Sequence, residues 1–266
     1  MRNLYPLTHQ EIGSEFELLR AMSYGTLPKI WHAHSDDERK DLLKAYATIY
    51  IKEEIWAEHL IRKLEPFRRF LEVAAQQAGK IVNASAIANE SKNNDKSVLN
   101  WYSILEDTLI GFHLESFHTS VRKQLKNSPK FYFFDVGVAR ALAGQLSLIP
   151  NPSISYFGDL FESFVISQFR SLCEYANKDF KLYFLRTKSD VEIDLVVVRP
   201  GKNIILIEIK STENIRLEHT QSLQHFENDF PLAEFFVLSR DQTDKAFGKV
   251  KAMHWTKGLA AIMSES

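Results

Sequence analysis

Two adjacent apolar runs in the second half of the chain constrain its fold more than any other feature. Residues 191–198 read Val-Glu-Ile-Asp-Leu-Val-Val-Val, and residues 203–210 read Asn-Ile-Ile-Leu-Ile-Glu-Ile-Lys. The four residues between them include Pro200 and Gly201, which favour a tight turn. The pattern therefore predicts a β-hairpin, and runs this apolar predict that it lies inside a sheet.

Charged side chains interrupt the predicted hairpin. Side chains alternate faces along a strand, so Glu208 and Lys210 share one face, and Asp194 lies on the run that pairs with the Glu208 strand. Buried charges are tolerated when they are paired, bind a metal or face a cleft. For the Glu-Ile-Lys motif alone, the simpler alternative is that Lys210 marks the point where the strand meets solvent.

A third carboxylate is expected on a helix upstream of the hairpin. Residues 158–169 carry apolar side chains at helical spacing, and Glu162 lies next to this apolar stripe. Three acids and one lysine around a single site repel one another unless a divalent cation neutralises them. Hard oxygen ligands favour Mg²⁺ or Mn²⁺ over zinc, so the sequence predicts a site for one of these two metals.

A helical Glu, a strand Asp and a Glu-x-Lys on the next strand together resemble the PD-(D/E)XK nuclease superfamily. The resemblance implies that Asp194 and Glu208 bind the metal, with Glu162 contributing directly or through water. It implies that Lys210 holds or activates the attacking water and stabilises the transition state. Two basic residues near the site are expected to contact neighbouring phosphates, namely Arg186 and Lys188.

Composition narrows the class of protein. A length of 266 residues suffices for about two domains, and the formal net charge of −1 means that any nucleic-acid binding must come from local patches. Cys173 is the only cysteine, which excludes a disulfide framework and a thiolate zinc site and favours a reducing cytoplasm. The N-terminus lacks a signal-peptide pattern, and no apolar run approaches the roughly 20 residues of a membrane helix. We therefore expect a cytoplasmic protein without a membrane partner.

Residues 65–150 predict a small helical domain with a ribbon of two strands. Three helical segments are separated by Gly79 and by the polar turn at residues 91–94. Two strand-like runs follow, at residues 109–114 and 130–135. Three helices followed by a two-stranded ribbon are the layout of a winged helix-turn-helix.

This predicted winged helix offers basic side chains in two places. The recognition helix brings Lys92 and Lys96, but several acids on the same helix offset them. The wing has no acid between Thr119 and Lys130, and its basic residues are Arg122, Lys123, Lys126 and Lys130. Such a patch neutralises phosphates without reading bases, so we expect DNA contact that is non-specific or structure-specific. The alternative, a winged helix that packs against protein, stays open.

Residues 1–64 predict a peripheral helical segment. Residues 11–22 have amphipathic helical spacing, and the Gly-Thr-Leu-Pro turn at residues 25–28 breaks it. Ser35 followed by three acids predicts the capped start of a longer helix. Downstream of the hairpin, residues 217–230 predict another helix, and residues 253–255 predict a short edge strand.

Several motifs together extend the resemblance to nearly the whole chain. They are Tyr-Pro-Leu at 5–7, Gly-Thr-Leu-Pro at 25–28, Pro-Lys-Phe-Tyr-Phe-Phe-Asp-Val-Gly at 129–137, Gly-Asp-Leu-Phe-Glu at 158–162, and the Glu-Ile-Asp and Ile-Glu-Ile-Lys segments of the hairpin. This set resembles the C-terminal part of a bacterial and archaeal family of AAA-type ATPases that end in a conserved domain of unknown function.

The resemblance implies a multidomain fold of the α+β or α/β class. We expect a helical remnant of the ATPase lid at 1–64, a winged helix at 65–150, and a restriction-endonuclease-like mixed sheet flanked by helices at 151–266. No Gly-x-x-x-x-Gly-Lys-Ser/Thr loop occurs in the chain, so we expect no ATP site here. The expected protein partner is an ATPase module that is encoded separately. The alternative is that this module is missing.

The leading functional hypothesis is a DNA-interacting protein with a magnesium-dependent nuclease-like domain. The alternative is a non-catalytic regulatory or partner-binding region of an AAA-type ATPase, in which the same acids are residual. A transcription regulator is the third hypothesis, and the acids on the helix that carries Lys92 and Lys96 speak against it.

Overall fold

The structure is a computed structural model that describes residues 4–50, 64–118 and 128–264. The chain divides into two compact units. The first comprises Met1–His113 and Pro129–Pro150, and the second comprises Leu114–Ser128 and Asn151–Ser266. The residues on either side of position 65 belong to the same unit, although the sequence predicts a boundary there.

The first unit is mainly helical. Its α-helices in the described residues are His9–Ile12, Leu18–Tyr24, Pro28–Trp31, Asp36–Ala45, Leu64–Gln76, Ala84–Ser91, Asp95–Asp107 and Val136–Leu142. A 3₁₀ turn at Gly13–Glu15 and a π-helix at Tyr46–Tyr50 complete the set. The single helix predicted for residues 11–22 is therefore wrong. Gly13 ends the first short helix with φ of +64°, a conformation that glycine adopts without steric cost.

Side-chain caps define where two of these helices begin. Ser35 Oγ accepts a hydrogen bond from the backbone N–H of Glu38 at 3.2 Å, as the sequence predicts. Asn94 Oδ1 accepts from the N–H of Ser97 at 2.9 Å. Each bond satisfies a backbone donor that the first turn of a helix leaves without an intrahelical partner.

In the described part of residues 64–133, three helices are followed by two strands, in the order that the sequence predicts. The strands are β1 (Gly111–Ser116) and β2 (Lys130–Phe133). The helices bury an aromatic cluster in which the rings of Phe70 and Tyr102 lie 5.0 Å apart, edge to face. Such aromatic pairs add about 0.5–1.5 kcal/mol beyond the area they bury, so this cluster anchors the unit.

The second unit is built on a mixed sheet. Its strands are β3 (Lys181–Arg186), β4 (Glu192–Val198), β5 (Ile205–Lys210), β6 (Glu234–Ser239), β7 (Lys245–Phe247) and β8 (Val250–His254), together with the end of β1. Their order is β1-β3-β4-β5-β6-β8-β7. β4 runs antiparallel to both of its neighbours, whereas β5, β6 and β8 are parallel to one another. The predicted hairpin is confirmed as β4 and β5, which lie near the centre of the sheet.

Two predictions for the second unit are wrong. The helix predicted for residues 217–230 is only a 3₁₀ turn, Leu217–Thr220, followed by the short helix Gln221–His225. The edge strand predicted at residues 253–255 is the end of β8, which lies between β6 and β7 and is not an edge. In both cases long-range pairing and packing override local pattern.

Helices flank this sheet. The long helix Ser155–Tyr175 packs against β5, and the C-terminal helix Trp255–Ser264 packs against β6 and β8. The first of these covers the segment for which the sequence predicts a helix and carries Glu162. Within the described ranges, no helix combines the length and the apolar character needed to cross a bilayer.

Candidate functional site

The hairpin brings Asp194 and Glu208 onto adjacent strands. β4 and β5 pair with Leu195 opposite Ile207, so the two acids occupy the next positions along the antiparallel register. Both are buried, at 9% and 3% exposure respectively. Uncompensated carboxylates at such positions are strongly disfavoured. The partners of each acid therefore decide what the site can do.

Glu208 is paired on one oxygen and unpaired on the other. Its Oε1 atom lies 2.5 Å from Nζ of Lys210, two positions along the same strand and on the same face. Its Oε2 atom is buried and has no hydrogen-bond partner within the described chain. The sequence interpretation in which Lys210 only marks the end of the strand is therefore incomplete, because this ammonium compensates a buried carboxylate.

Burial and neighbouring charges act in opposite directions on this pair. Burial raises the pKa of Glu208; the cation of Lys210 opposes this rise, and the acids Glu162 and Glu192 reinforce it. For Lys210, burial acts to lower the pKa, but Glu208, Asp194 and Glu162 raise it overall. Each of these groups thus lies within electrostatic reach of the pair. The predicted catalytic residues Glu162, Asp194, Glu208 and Lys210 share one electrostatic neighbourhood.

Asp194 has a structural partner of its own. Its Oδ2 atom accepts a hydrogen bond of 2.6 Å from the backbone N–H of Ile209 on the neighbouring strand. This bond joins β4 to β5 next to Glu208. Charge-assisted bonds of this kind are roughly twice as strong as neutral ones, so Asp194 contributes to the hairpin as well as to the charge of the site.

The predicted metal site differs from the structure in one respect. Among the residues that the structure describes, no group of three or more His, Cys, Asp or Glu side chains is arranged to hold a metal ion. The set Asp194, Glu208 and Glu162 is therefore not assembled as a ligand cage.

The donor chemistry of these residues nevertheless fits a hard divalent cation. The site offers carboxylate oxygens, which Mg²⁺ and Mn²⁺ prefer. Glu208 Oε2 is a buried oxygen that is left unsatisfied by the described protein, and a cation ligand would satisfy it. Asp194, Glu208 and Glu162 are the residues that would hold such an ion.

Sequence reasoning missed Glu192. This residue is the first of β4, pairs in register with Arg186 on β3, and raises the pKa of Glu208. The signal was present, because Glu192 stands two positions before Asp194 on the same strand and therefore on the same face. The site thus has a fourth acid.

Arg186 forms ion pairs with two acidic residues, Asp190 and Glu192. Its guanidinium donates to Asp190 Oδ1 at 3.1 Å and lies 3.8 Å from Glu192 Oε2. The predicted contact of Arg186 with a phosphate would require it to leave these carboxylates. Lys188 is exposed at the turn between β3 and β4.

The basic residues that the sequence predicts to bind nucleic acid in residues 65–150 fall into three groups: exposed, buried, and outside the described residues. Lys92 and Lys96 are exposed, as a phosphate contact requires. Lys130 is only 3% exposed, because β2 is buried along its whole length, so the prediction that it contacts nucleic acid fails in this structure. Three further predicted residues lie outside the described residues, namely Arg122, Lys123 and Lys126.

Two family models match the chain. The model described as "Domain of unknown function (DUF8612)" matches residues 15–148, which is half of the chain. The model described as "Domain of unknown function (DUF4143)" matches residues 157–257, which lie in the second unit.

Two curated relatives are similar in sequence. They are the uncharacterized protein Rv2008c of Mycobacterium tuberculosis and the uncharacterized protein Mb2031c of Mycobacterium bovis, each 25% identical over 199 residues. The match covers 74% of this chain and 43% of each relative. The chain thus spans less than half the length of these two proteins.

One solved structure shows a weak likeness. It is a refined half-complex from a tetradecameric assembly of Thermococcus gammatolerans McrB AAA+ hexamers with bound McrC. The likeness has 13% sequence identity and a TM-score of 0.31. It covers 80% of this chain and 77% of the matched chain in the solved structure. Because this TM-score is low, no inference is drawn from the likeness.

Proposed function

The chain belongs to the DUF8612 family, and we propose that its second unit is a nuclease-like domain that cleaves DNA with the help of Mg²⁺ or Mn²⁺. The observation that carries this proposal is the buried Glu208, paired with Lys210 through Oε1 and unsatisfied at Oε2. The charges of Asp194, Glu162 and Glu192 act on the same pair.

Each residue of the proposed site has a distinct role. Asp194, Glu208 and Glu162 would hold the cation, which would lower the pKa of a water bound to it and neutralise charge on the scissile phosphate. Lys210 places its ammonium next to Glu208, where it orients the attacking water and stabilises negative charge on the phosphate. The neighbouring acids raise the pKa of Lys210 above its ordinary value, which favours the role of a cation and hydrogen-bond donor.

In this proposal the first unit delivers the domain to its substrate. Residues 65–150 act as a winged helix, to which Lys92 and Lys96 contribute exposed positive charge. The residues before them act as a lid remnant that docks an AAA-type ATPase module. These assignments rest on the order of helices and strands and on the motif resemblance, and they make both DNA and an ATPase module partners of the chain.

The test of the nuclease proposal is a cleavage assay on the full chain. Duplex, branched and single-stranded DNA are incubated with the protein in Mg²⁺, in Mn²⁺ and in EDTA. We expect cation-dependent cleavage, and a loss of about 100-fold or more in Asp194→Ala and Lys210→Ala, as for removal of a group that stabilises the transition state. The exposed ion pair of Lys257 with Asp244 supplies matched control variants, Lys257→Ala and Asp244→Ala.

The outcomes of this assay separate protein activity from contamination. Cleavage that persists undiminished in both site variants rejects the assignment of the catalytic residues. Cleavage lost to the same extent in the control variants points to a general loss of fold. Far-ultraviolet circular dichroism of each variant distinguishes these cases.

A second candidate function is favoured by one observation. Lys210 already compensates one oxygen of Glu208, and the described residues hold no assembled cluster of metal ligands. This arrangement also suits a non-catalytic, partner-binding region of an AAA-type ATPase that keeps its acids as residual structure. A folded chain that cleaves none of the three DNA substrates with either cation supports this candidate and rejects the nuclease.

A further inference from the structure

A cavity of about 410 Å³ opens in the first unit. Its walls come from the helix Leu18–Tyr24, the start of the helix Asp36–Ala45 and residues 140–150, all of which belong to that unit. The volume lies within the range of about 300–1,000 Å³ that is usual for small-molecule sites. No residue of the candidate site around Glu208 lines this cavity.

The cavity has a strongly basic lining. Four of its side chains carry positive charge, namely Arg20, Arg39, Lys40 and Arg140, and two carry negative charge, namely Glu17 and Asp36. The lining therefore has an excess of two positive charges, although the whole chain is nearly neutral. Burial lowers the pKa of Arg20. The positive charge of Arg39 lowers it further, because the two cations repel each other.

Two of the arginines have an unused donor. The Nε atoms of Arg20 and Arg39 are buried, and neither has a hydrogen-bond partner in the described part of the chain. Buried polar atoms in native proteins are nearly always satisfied, by protein groups, by water or by a ligand. Both arginines line the same cavity, so its wall is formed by guanidinium groups whose hydrogen-bonding capacity the described protein does not use up.

Contacts with the protein hold these guanidinium groups in place. Arg20 donates to the carbonyl of Trp31, and its guanidinium carbon lies 4.2 Å from the centre of the Trp31 ring. Arg39 donates to Asp36 Oδ1 at 2.8 Å and to the carbonyl of Ala33 at 2.5 Å. A ligand would therefore meet donors that are already oriented, which lowers the entropic cost of binding.

Arg140 is fixed in a similar way. Its guanidinium donates to the backbone carbonyls of Ser23, Gln145 and Leu148. These carbonyls orient the group but do not cancel its charge. Arg140 is 2% exposed, so its positive charge is held at the cavity wall with little solvent screening.

We propose that this cavity binds a phosphate-bearing small molecule. A phosphate group carries about two negative charges at neutral pH, which matches the excess of positive charge in the lining. Its oxygens accept hydrogen bonds in the planar geometry that the guanidinium of arginine offers. The site lies in the first unit and would operate whether or not the second unit is a nuclease.

Isothermal titration calorimetry of the full chain with inorganic pyrophosphate tests this proposal. We expect binding by the wild-type protein, and binding weaker by about tenfold or more in Arg20→Gln and in Lys40→Ala, since each removes a charged donor. The control is Lys44→Ala on the same helix as Lys40, because Lys44 is exposed, pairs with Asp41 at 3.7 Å and lies outside the cavity lining. Its affinity should equal that of the wild type.

A conservative variant separates charge from hydrogen bonding. Arg20→Lys keeps the positive charge but removes Nε–H, so its affinity should lie between those of the wild type and Arg20→Gln. Thermal melting confirms that each variant is folded. The proposal is overturned if the folded wild-type chain binds no pyrophosphate, or if Arg20→Gln and Lys40→Ala bind it as tightly as Lys44→Ala.

Discussion

Glu208 and Lys210 form a half-satisfied ion pair in the centre of a β-sheet. The Lys210 ammonium lies 2.5 Å from Oε1 of Glu208, whereas Oε2 of the same carboxylate is buried without a partner in the described chain. Glu208 is 3% exposed, and the Lys210 side chain is 37% exposed. The pair therefore joins a buried carboxylate to an ammonium group that reaches solvent.

Replacing Lys210 by methionine should destabilise the protein by about 2 kcal/mol at pH 8. Removing one partner of a fully buried pair costs about 3–5 kcal/mol, and the partial exposure of Lys210 reduces this figure. The loss should depend on pH, because burial raises the pKa of Glu208 and loss of the cation raises it further. Stability contributed by a carboxyl group with a raised pKa is present at low pH and is lost as pH rises through the folded value.

Urea unfolding at pH 4 and at pH 8 measures this effect. Lys210→Met should differ from the wild type by much less at pH 4, where Glu208 is protonated in both proteins. The matched control is Lys257→Met, which breaks an exposed pair with Asp244 and should cost less than about 1 kcal/mol at either pH. An equal loss at both pH values in Lys210→Met contradicts the role assigned to Glu208.

Adding Mn²⁺ should stabilise the wild-type protein against thermal unfolding. A ligand at 100 times its Kd adds about 2.7 kcal/mol to the free energy of unfolding. Glu208→Gln removes a negative oxygen that a cation prefers, and it also removes a buried charge. We therefore expect this variant to gain nothing from Mn²⁺.

The measurement is a thermal melt with and without Mn²⁺, followed by EDTA to reverse the effect. Its readout is independent of DNA cleavage. Glu218→Gln, on an exposed side chain of the 3₁₀ turn Leu217–Thr220, is the control that should keep the Mn²⁺ response. Equal stabilisation of Glu208→Gln and the wild type argues against a cation site at Glu208.

Gly25→Ala should be far more destabilising than Gly13→Ala. Both glycines have positive φ, at +72° and +64°, so alanine is strained at either position by about 1–3 kcal/mol. A Cβ atom at Gly25 would also lie within 1.9 Å of the Asp135 carboxylate, whereas one at Gly13 meets nothing within 4 Å. Chemical denaturation of both variants gives the two losses of stability, and similar values would show that Asp135 moves aside at little cost.

Asp135 should make the first unit less stable as the solution becomes neutral. This carboxylate is 3% exposed and accepts backbone N–H bonds from Thr26 at 2.8 Å and Val138 at 3.0 Å. Burial raises its pKa to about 6 from an ordinary value of 3.8, although these bonds act to lower it. The folded pKa is the higher one, so its stabilising contribution is complete below pH 4 and declines by about 3 kcal/mol as pH rises past 6.

The variant Asp135→Asn tests this sign. It cannot ionise, so its stability should change less between pH 4 and pH 7 than that of the wild type. Relative to the wild type it should lose about 1–2 kcal/mol at pH 4, because an amide has one acceptor oxygen for the backbone N–H groups that two carboxylate oxygens now serve, and this deficit should shrink or reverse at pH 7. A pH dependence identical to the wild type would assign the decline to other groups.

The local sequence pattern was sufficient to predict much of the secondary structure of the second unit. The hairpin of β4 and β5, the helix that carries Glu162 and the alternation that joins Glu208 to Lys210 were all predictable, because each depends on residues close in sequence. The same reasoning was too simple for residues 217–230, where most of an expected helix is absent. It also missed Glu192, although this residue stands two positions before Asp194 on the same strand.

Only the tertiary structure decided which charges are buried, paired or left over. Lys130 belongs to a basic stretch of sequence, yet its strand is buried. Arg20, Arg39 and Arg140 show no pattern along the chain, yet the packing of their helices places them around one cavity. Burial and charge compensation at these positions depend on contacts between residues far apart in sequence, so periodicity and propensity alone do not determine them.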